Sequence, residues 1–263
     1  MTPEIYLATV GLEPNRWAKR QGQPNLAVAS EWFSPAKAAG FSGIELFEPH
    51  YLDPDDKERQ RILQAELPVS VYNSYITFDP QGEALRKQAA AAITQLKPKA
   101  FKFNFGRDPN RLADEMRCFE KWMETLPAGV EAWCECHPGT PIETPAAAKI
   151  CLDQFSEKRI KVVFHPFLLT PEEVDLWMQT FGGRVVHAHV QTRDPNEAMC
   201  VMNLEERADY CIQQLKLLHD SGFRGSYAVE FVKGTLKKDE DVPAKIFRQA
   251  VNNLNFLKQH ILR

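Results

Sequence analysis

Short apolar runs alternate along the chain with longer segments in which apolar residues recur every three or four positions. The first pattern is typical of buried strands and the second of amphipathic helices. The predicted strands are 5–10, 43–47, 69–75, 100–105, 130–136, 160–165, 185–191 and 226–232. The predicted helices are 25–39, 54–67, 82–96, 110–126, 145–155, 171–180, 204–221 and 242–260. Each strand is therefore followed by a helix.

Eight strand-then-helix units in 263 residues match the size and composition of a (β/α)8 TIM barrel of the α/β class. The alternative is an open, doubly wound sheet, which usually carries a glycine-rich phosphate turn after its first strand. Here the first strand runs into Gly11-Leu12-Glu13-Pro14-Asn15, which is not such a turn. The longest loops, 12–24 and 192–203, both follow strands, so in a barrel they would lie over the active-site mouth.

Polar residues occupy alternate positions within several of these strands. Because successive side chains of a strand point to opposite faces, packing the apolar face against helices turns the polar one into the barrel. This assignment places the following residues inside: Glu45, Lys102, Asn104, Glu131, Glu135, His137, His165, His187, His189, Gln191 and Glu230. Buried charges are costly unless they are paired or bind a metal. An ion pair of Lys102 with Glu45 or Glu131 would account for some of them.

Four of these residues, Glu135, His165, His189 and Glu230, lie at the carboxyl ends of strands five to eight. Barrel enzymes keep their chemistry at that end. A lone histidine on a strand is more often structural, but four such groups in register indicate a metal site. Mixed nitrogen and oxygen ligands suit Mn²⁺, Co²⁺, Zn²⁺ or Fe²⁺ better than Ca²⁺, and two imidazoles make Mg²⁺ less favourable.

A divalent metal ion can polarise a carbonyl or hold two adjacent substrate oxygens. A carboxylate beside it can then remove or return a proton on the neighbouring carbon. Glu135 and Glu230 would flank a bound substrate. These are the requirements of a ketose–aldose isomerase or a ketose epimerase that works through an enediolate.

The chain resembles the xylose-isomerase-like TIM-barrel superfamily, the sugar phosphate isomerase/epimerase group, over nearly its whole length. The resemblance rests on Gly40-Phe41-Ser42-Gly43-Ile44-Glu45-Leu46, Glu135-Cys136-His137, His187-Ala188-His189-Val190 and Val229-Glu230. It implies one such domain over residues 1–263 and a role in carbohydrate metabolism. It also implies that Glu135, His189 and Glu230 bind metal and that the two glutamates act as an acid/base pair.

The sequence departs from the pattern of that group in two places. His165 stands where strand six usually supplies Asp, which leaves the identity of the metal open. The segment Gln191-Thr192-Arg193-Asp194 stands where Lys-Asp usually follows the strand-seven histidine, which leaves the substrate open. Candidate substrate-binding residues are His137, Lys102, Asn104, Arg193 and Trp133. For three of them an alternative role is open: Arg193 as a solvated loop cation, His137 as a partner of Glu135, and Trp133 as core.

Charge and composition narrow the classes of protein that remain. A net charge of −3 does not favour a nucleic-acid surface. The six cysteines are scattered, and we expect reduced thiols in a cytoplasmic protein, since no apolar run is long enough to span a membrane and the first residues do not resemble a signal peptide. The expected partner is a small carbohydrate, and homo-oligomer formation is left open.

The sequence leaves four alternatives to an isomerase or epimerase open. A dehydratase of a cyclic polyol needs the same metal and proton-transfer groups. An endonuclease-like repair enzyme needs more metal ligands at strands two, three and six, where Glu48, His50 and Asn73 are available. A non-catalytic sugar-binding barrel would accommodate His165. A class I aldolase using Lys102 would leave the ring of His and Glu residues unexplained.

Overall fold

The structure, a computed structural model, describes residues 3–16, 24–155, 160–236 and 242–261. Eight parallel strands close into a barrel, in the order β1-β10-β7-β6-β5-β4-β3-β2, which confirms the predicted (β/α)8 fold. The barrel strands are β1 Ile5–Ala8, β2 Gly43–Phe47, β3 Val69–Asn73, β4 Ala100–Phe103, β5 Glu131–Glu135, β6 Ile160–Phe164, β7 Val185–Val190 and β10 Ser226–Val229.

Most barrel strands end one to three residues before the predicted end. Asn104, His165 and Glu230 come directly after the last paired residue of β4, β6 and β10. The side chains of these three residues continue the alternation of their strands for one position after ladder pairing stops. The candidate site residues therefore stand at the edge between sheet and loop.

Helices pack around the barrel. They are α1 Phe33–Ala39, α2 Pro49–Leu52, α3 Asp56–Leu63, α4 Glu83–Leu96, α5 Leu112–Met123, α6 Pro145–Leu152, α7 Pro171–Phe181, α8 Ala208–Asp220 and α9 Pro243–His260. Two helices begin after a Thr-Pro pair: the Thr144 side chain accepts a hydrogen bond from the Ala147 N–H, and Thr170 forms a capping box with Glu173. No helix in the described part of the chain has the length and apolar content needed to cross a membrane.

The first helix was predicted to begin at residue 25, and this was wrong. A 3₁₀ turn covers Ala29–Trp32, and α1 begins at Phe33. Pro35 is the reason, because a proline ten residues into a helix would remove a hydrogen bond and clash with the preceding turn. In the first turn of α1 it is tolerated.

The apolar side chains form two clusters. The larger one fills the space between strands and helices and includes Phe101 and Phe103 of β4. The smaller one, here called the inner cluster, fills the barrel itself. It consists of Tyr6, Ala8, Val10, Phe47, Val71, Ala100, Trp133, Val163, Val201, Ala228 and Phe231. The predicted orientation of β4, with its phenylalanines outward and Lys102 inward, is therefore correct.

The loop after β7 contains an antiparallel hairpin that the sequence analysis did not predict. Its strands are β8 Thr192–Asp194 and β9 Glu197–Met202. Val201 of this hairpin is buried and belongs to the inner cluster. The hairpin therefore covers part of the barrel mouth, next to the candidate site.

Candidate metal centre

The barrel brings together the four residues predicted to share a site. Glu135 is the last residue of β5, and His189 lies in β7. His165 and Glu230 follow β6 and β10. His165 Nε2 lies 2.8 Å from Glu135 Oε1, and His189 Nδ1 lies 3.1 Å from the same oxygen and 3.4 Å from Glu230 Oε1. All four side chains are at most 7% exposed, so they form one closed cluster.

His189 is the centre of this cluster, and both of its ring nitrogens face carboxylates. Its Nδ1 faces Glu135 and Glu230, while its Nε2 lies 3.3 Å from Glu45 Oε1. Within the part of the chain that the structure describes, neither nitrogen makes a contact with hydrogen-bond geometry, and Glu45 Oε1 has no hydrogen-bond partner either. Burial opposes the charged ring, but the surrounding carboxylates outweigh it and hold the pKa of His189 well above its ordinary value.

This arrangement fits a divalent cation. Glu45, Glu135 and Glu230 are three buried carboxylates, and Lys102 is the buried ammonium beside Glu135, which leaves an excess of negative charge. A dication would balance it with the imidazoles neutral, whereas without a metal ion a protonated His189 would offset only part of it. Ligand atoms of Glu135, His165 and His189 lie within 4.8 Å of one another. A cation there would have the mixed nitrogen and oxygen donors typical of a transition-metal site.

Glu135 is held by four neighbours. Its Oε2 accepts hydrogen bonds from Lys102 Nζ at 2.7 Å and Asn104 Nδ2 at 2.9 Å. Its Oε1 lies near His165 and His189. Burial raises the pKa of the Glu135 carboxyl, but the Lys102 ammonium and the neighbouring imidazoles of His165 and His189 hold it well below its usual range. Glu135 is therefore ionised, with Oε1 facing the two imidazoles and Oε2 engaged elsewhere.

The structure corrects the pairing expected for Lys102. Its partner is Glu135 and not Glu45 or Glu131. Glu45 Oε2 instead lies 3.0 Å from His187 Nε2, and half-buried Glu131 accepts a hydrogen bond from Trp133 Nε1 at 2.8 Å. In register Lys102 pairs with Trp133, and its long side chain reaches one inward position further towards the mouth.

Gln191 orients the other side of the cluster. Its Nε2 lies 2.8 Å from Glu230 Oε2 and 3.1 Å from His165 Nδ1. Without a metal ion, His165 can accept there when it carries its proton on Nε2, towards Glu135; binding a metal ion through Nε2 would require that proton to be on Nδ1 instead. Burial lowers the pKa of His165, which favours this neutral form. Burial raises the pKa of Glu230, but the charge on His189 lowers it further, so Glu230 is ionised.

Three predicted substrate-binding residues make no polar contact with the carboxylates of this cluster. His137 is exposed and so does not point into the barrel as predicted, but its ring lies edge-on to that of His165, with centroids 6.0 Å apart. β5 ends at Glu135, and His137 Nδ1 lies 2.7 Å from Pro138 O. Arg193 donates to Ala198 O and Gln191 Oε1 and so ties the hairpin to the site. Trp133 is 1% exposed and packs its ring 4.9 Å from His187 in the inner cluster.

Two features of the mouth were not anticipated. Glu45, His187 and His189 form a second group whose ligand atoms lie within 4.8 Å of one another, and His187 Nδ1 lies 2.8 Å from Ser226 Oγ. Alternation had placed Glu45 and His187 inside but had not paired them. Near β2, burial raises the pKa of Glu48 to about 7, although Ser74 and the Tyr75 N–H donate to it.

Comparison with solved structures shows the same fold in proteins of low sequence identity. The probable 3-DHS dehydratase AsbF of Bacillus anthracis is 15% identical, with a TM-score of 0.68 over 97% of this chain and 98% of that one. D-psicose 3-epimerase of Clostridium cellulolyticum H10 is 11% identical, with a TM-score of 0.65 over 98% and 99%.

A xylose isomerase-like TIM barrel protein of Mycobacterium smegmatis, solved with magnesium, is 11% identical, with a TM-score of 0.64 over 99% and 98%. No family model matches the chain, and no curated protein matches its sequence. The comparisons therefore show that the chain shares its (β/α)8 barrel fold with these proteins, and this is the fold that the sequence analysis predicted.

Proposed function

We propose that this protein is a metal-dependent enzyme that isomerises or epimerises a small sugar, keto-sugar or related polyol by proton transfer. The observation that carries the proposal is His189, a buried imidazole that faces three carboxylates without a hydrogen bond. Such an environment is costly for a purely structural residue. It is suited to a cation bound between His189, Glu135 and Glu230.

The residues that would hold the metal are Glu135, His165, His189 and Glu230. When bound, the ion would act as a Lewis acid that polarises a substrate carbonyl and makes the neighbouring C–H more acidic. Glu45 would hold His189 in the tautomer that carries its proton on Nε2 and leaves Nδ1 free for the metal, as acidic partners of metal-bound histidines commonly do. Gln191 would fix the orientation of both His165 and Glu230.

Glu230 is the proposed proton carrier. Its Oε2 has a neutral amide, Gln191, as its neighbour at 2.8 Å, and an ionised carboxylate of this kind can take a proton from carbon and return it. The closed cluster excludes water, which strengthens electrostatic interactions during the proton transfer. Lys102 and Asn104, bound to Glu135, line the side of the barrel on which the substrate would lie.

Glu135 is less suited to move protons than Glu230, because Lys102 and Asn104 both hold its Oε2. Epimerisation needs a proton-transfer group on each face of the substrate carbon. Aldose–ketose isomerisation needs one base that moves a proton between adjacent carbons, and dehydration of a cyclic polyol can also use one base. The hydrogen bonds of Lys102 and Asn104 to Glu135 therefore favour an isomerase over an epimerase, and they support a dehydratase as the second candidate. The names of the structural neighbours cover an epimerase and a probable dehydratase.

The test is a proton-exchange assay in deuterated water. Protein loaded in turn with Mn²⁺, Co²⁺, Zn²⁺, Fe²⁺ or Mg²⁺ is incubated with aldoses, ketoses and cyclic polyols, and the C–H signals next to each carbonyl are followed by NMR. Isomerisation gives an isomer of the substrate that carries deuterium on carbon, whereas dehydration gives a product that has lost one water molecule. Absence of exchange with every sugar and polyol under every metal would overturn the proposal.

A further inference from the structure

Asn73, the last residue of β3, has a buried amide with unmet hydrogen bonds. The side chain is 0% exposed, and neither Nδ2 nor Oδ1 has a hydrogen-bond partner among the described residues. Its backbone is ordinary, since its carbonyl accepts from the Glu48 N–H at 3.0 Å. Buried amides without partners are rare in proteins because losing water without a replacement is costly.

The hydrogen-bonded register places Asn73 in the layer of the candidate metal centre. Asn73 pairs with Phe47 of β2 and Lys102 of β4, both of which point into the barrel. Side chains inside a TIM barrel form layers of four that come from alternate strands. Because the strands are tilted, the members of a layer on successive alternate strands are offset by about two residues from the hydrogen-bonded register. Applied to the observed pairs, this tilt groups Asn73 with Ala8, Glu135 and His189.

In this layer, Asn73 of β3 lies across the barrel axis from His189 of β7 and between Ala8 and Glu135. The methyl side chain of Ala8 has no polar group that could form a hydrogen bond with the amide. Lys102, the neighbouring cation, is already bound to Glu135. The register therefore places Asn73, whose amide donor and acceptor have no partner among the described residues, on the barrel wall opposite His189.

We propose that Asn73 binds two hydroxyl groups on adjacent carbons of the substrate. One edge of a carboxamide presents an N–H donor beside a C=O acceptor. A vicinal diol matches this edge, because one hydroxyl can accept from Nδ2 while the next donates to Oδ1. This inference rests on the proposed function and narrows its substrate to one with a vicinal diol, held on the β3 side while Glu230 and His189 face the reacting end.

The experiment compares wild type with Asn73→Leu, which keeps the branching at Cγ but removes both polar atoms. Asn253→Leu is the matched control, because buried Asn253 accepts a hydrogen bond from the Leu204 N–H at 2.9 Å. Thermal unfolding without ligand should show a midpoint about 2–4 °C higher for Asn73→Leu, since an unpaired buried amide is removed. The midpoint of Asn253→Leu should fall. A lower midpoint for Asn73→Leu, or failure to fold, would mean that Asn73 has a structural partner and would overturn the inference.

Binding of D-tagatose to metal-loaded protein, measured by calorimetry, provides the second readout. Asn73→Leu should bind at least about tenfold more weakly than wild type. A deoxy derivative that lacks one hydroxyl contacted by Asn73 can make only one of the two hydrogen bonds in wild type, so the affinity difference between the two proteins should be smaller for it than for D-tagatose. Equal affinity of the two proteins for D-tagatose would overturn the inference. If wild type does not bind D-tagatose, that result counts against this sugar in the proposed function, and the unfolding midpoints still decide the role of Asn73.

Discussion

His189 Nε2 lies 3.3 Å from Glu45 Oε1, while the other ring nitrogen faces Glu135 and Glu230. One imidazole therefore joins a carboxylate deep in the barrel to two carboxylates at its mouth. Acidic groups behind a metal-bound histidine fix its tautomer and raise its basicity. Burial raises the pKa of Glu45, but the neighbouring His189 and His187 outweigh it and hold the pKa below its ordinary value, so the carboxylate is ionised and can hold His189 in this way.

Glu45→Gln should weaken metal binding by about 10–100-fold, because the neutral amide no longer fixes the tautomer of His189. Titration calorimetry with Mn²⁺ or Zn²⁺ measures the change. Glu131→Gln is the matched control, since Glu131 lies on the same barrel but bonds to Trp133. Equal losses of metal affinity in the two variants would show that Glu45 does not support the metal-binding role of His189.

Glu230→Gln should lower exchange of the substrate proton with solvent deuterium by about 10²–10⁴-fold. The amide keeps the shape and can still offer an oxygen to a metal, but it cannot accept a proton from carbon. Glu197→Gln, on the exposed part of the hairpin, should leave exchange unchanged. Exchange at the wild-type rate in Glu230→Gln would move the role of base to Glu135.

Lys102→Met should destabilise the metal-free protein by about 3–5 kcal/mol, because Glu135 is left as an uncompensated buried charge. Urea unfolding in the presence of chelator measures the loss. The double variant with Glu135→Gln should recover most of it. Lys216→Met, which breaks an exposed pair with Asp220, should cost no more than about 1 kcal/mol, and a similar small cost for Lys102→Met would contradict the buried ion pair.

The barrel and the inward register were predictable because alternation within each strand is a local property. In β4, for example, two phenylalanines against helices leave Lys102 inside whatever the neighbouring strands do. The pairing of Lys102 with Glu135 was not predictable in the same way. It depends on the stagger between β4 and β5 and on the reach of a lysine side chain, and both are properties of the closed barrel.

The hairpin after β7 and the exposure of His137 were missed for local reasons. The hairpin strands are short, and Asp194-Pro195-Asn196 between them is a turn signal that could have indicated it. In the sequence, His137 continues the alternation of β5, but in the structure ladder pairing stops at Glu135. Asn73 was noted only as a possible metal ligand of a repair enzyme, and its lack of a hydrogen-bond partner gave no signal, because a missing partner can be recognised only after the fold is known.

Stability should fall as pH rises through the range in which Glu48 ionises. Burial raises the pKa of Glu48 to about 7 from an ordinary value of 4.5, so the folded protein holds this proton more tightly than the unfolded chain. The stabilisation is complete below pH 4.5 and is lost as pH approaches 7.

Glu48→Gln removes this dependence and should be more stable than wild type at pH 8 by roughly 3 kcal/mol relative to their difference at pH 4. Urea unfolding of both proteins across that range gives the comparison. The amide oxygen of the variant can still accept from Ser74 and Tyr75. Parallel pH curves for the two proteins would show that Glu48 is not titrating between the folded and unfolded states.

The central claim is that Glu135, His165, His189 and Glu230 bind one divalent metal ion, and metal stoichiometry tests it most directly. Elemental analysis of the purified protein, followed by chelation and titration with Mn²⁺, Co²⁺ and Zn²⁺, should give one ion per chain in wild type. His189→Ala, which removes the ring shared by all the carboxylates, should lose that site while its circular dichroism spectrum stays that of the folded barrel. Wild type that binds none of the three ions, or a His189→Ala variant that binds them as wild type does, would contradict the account.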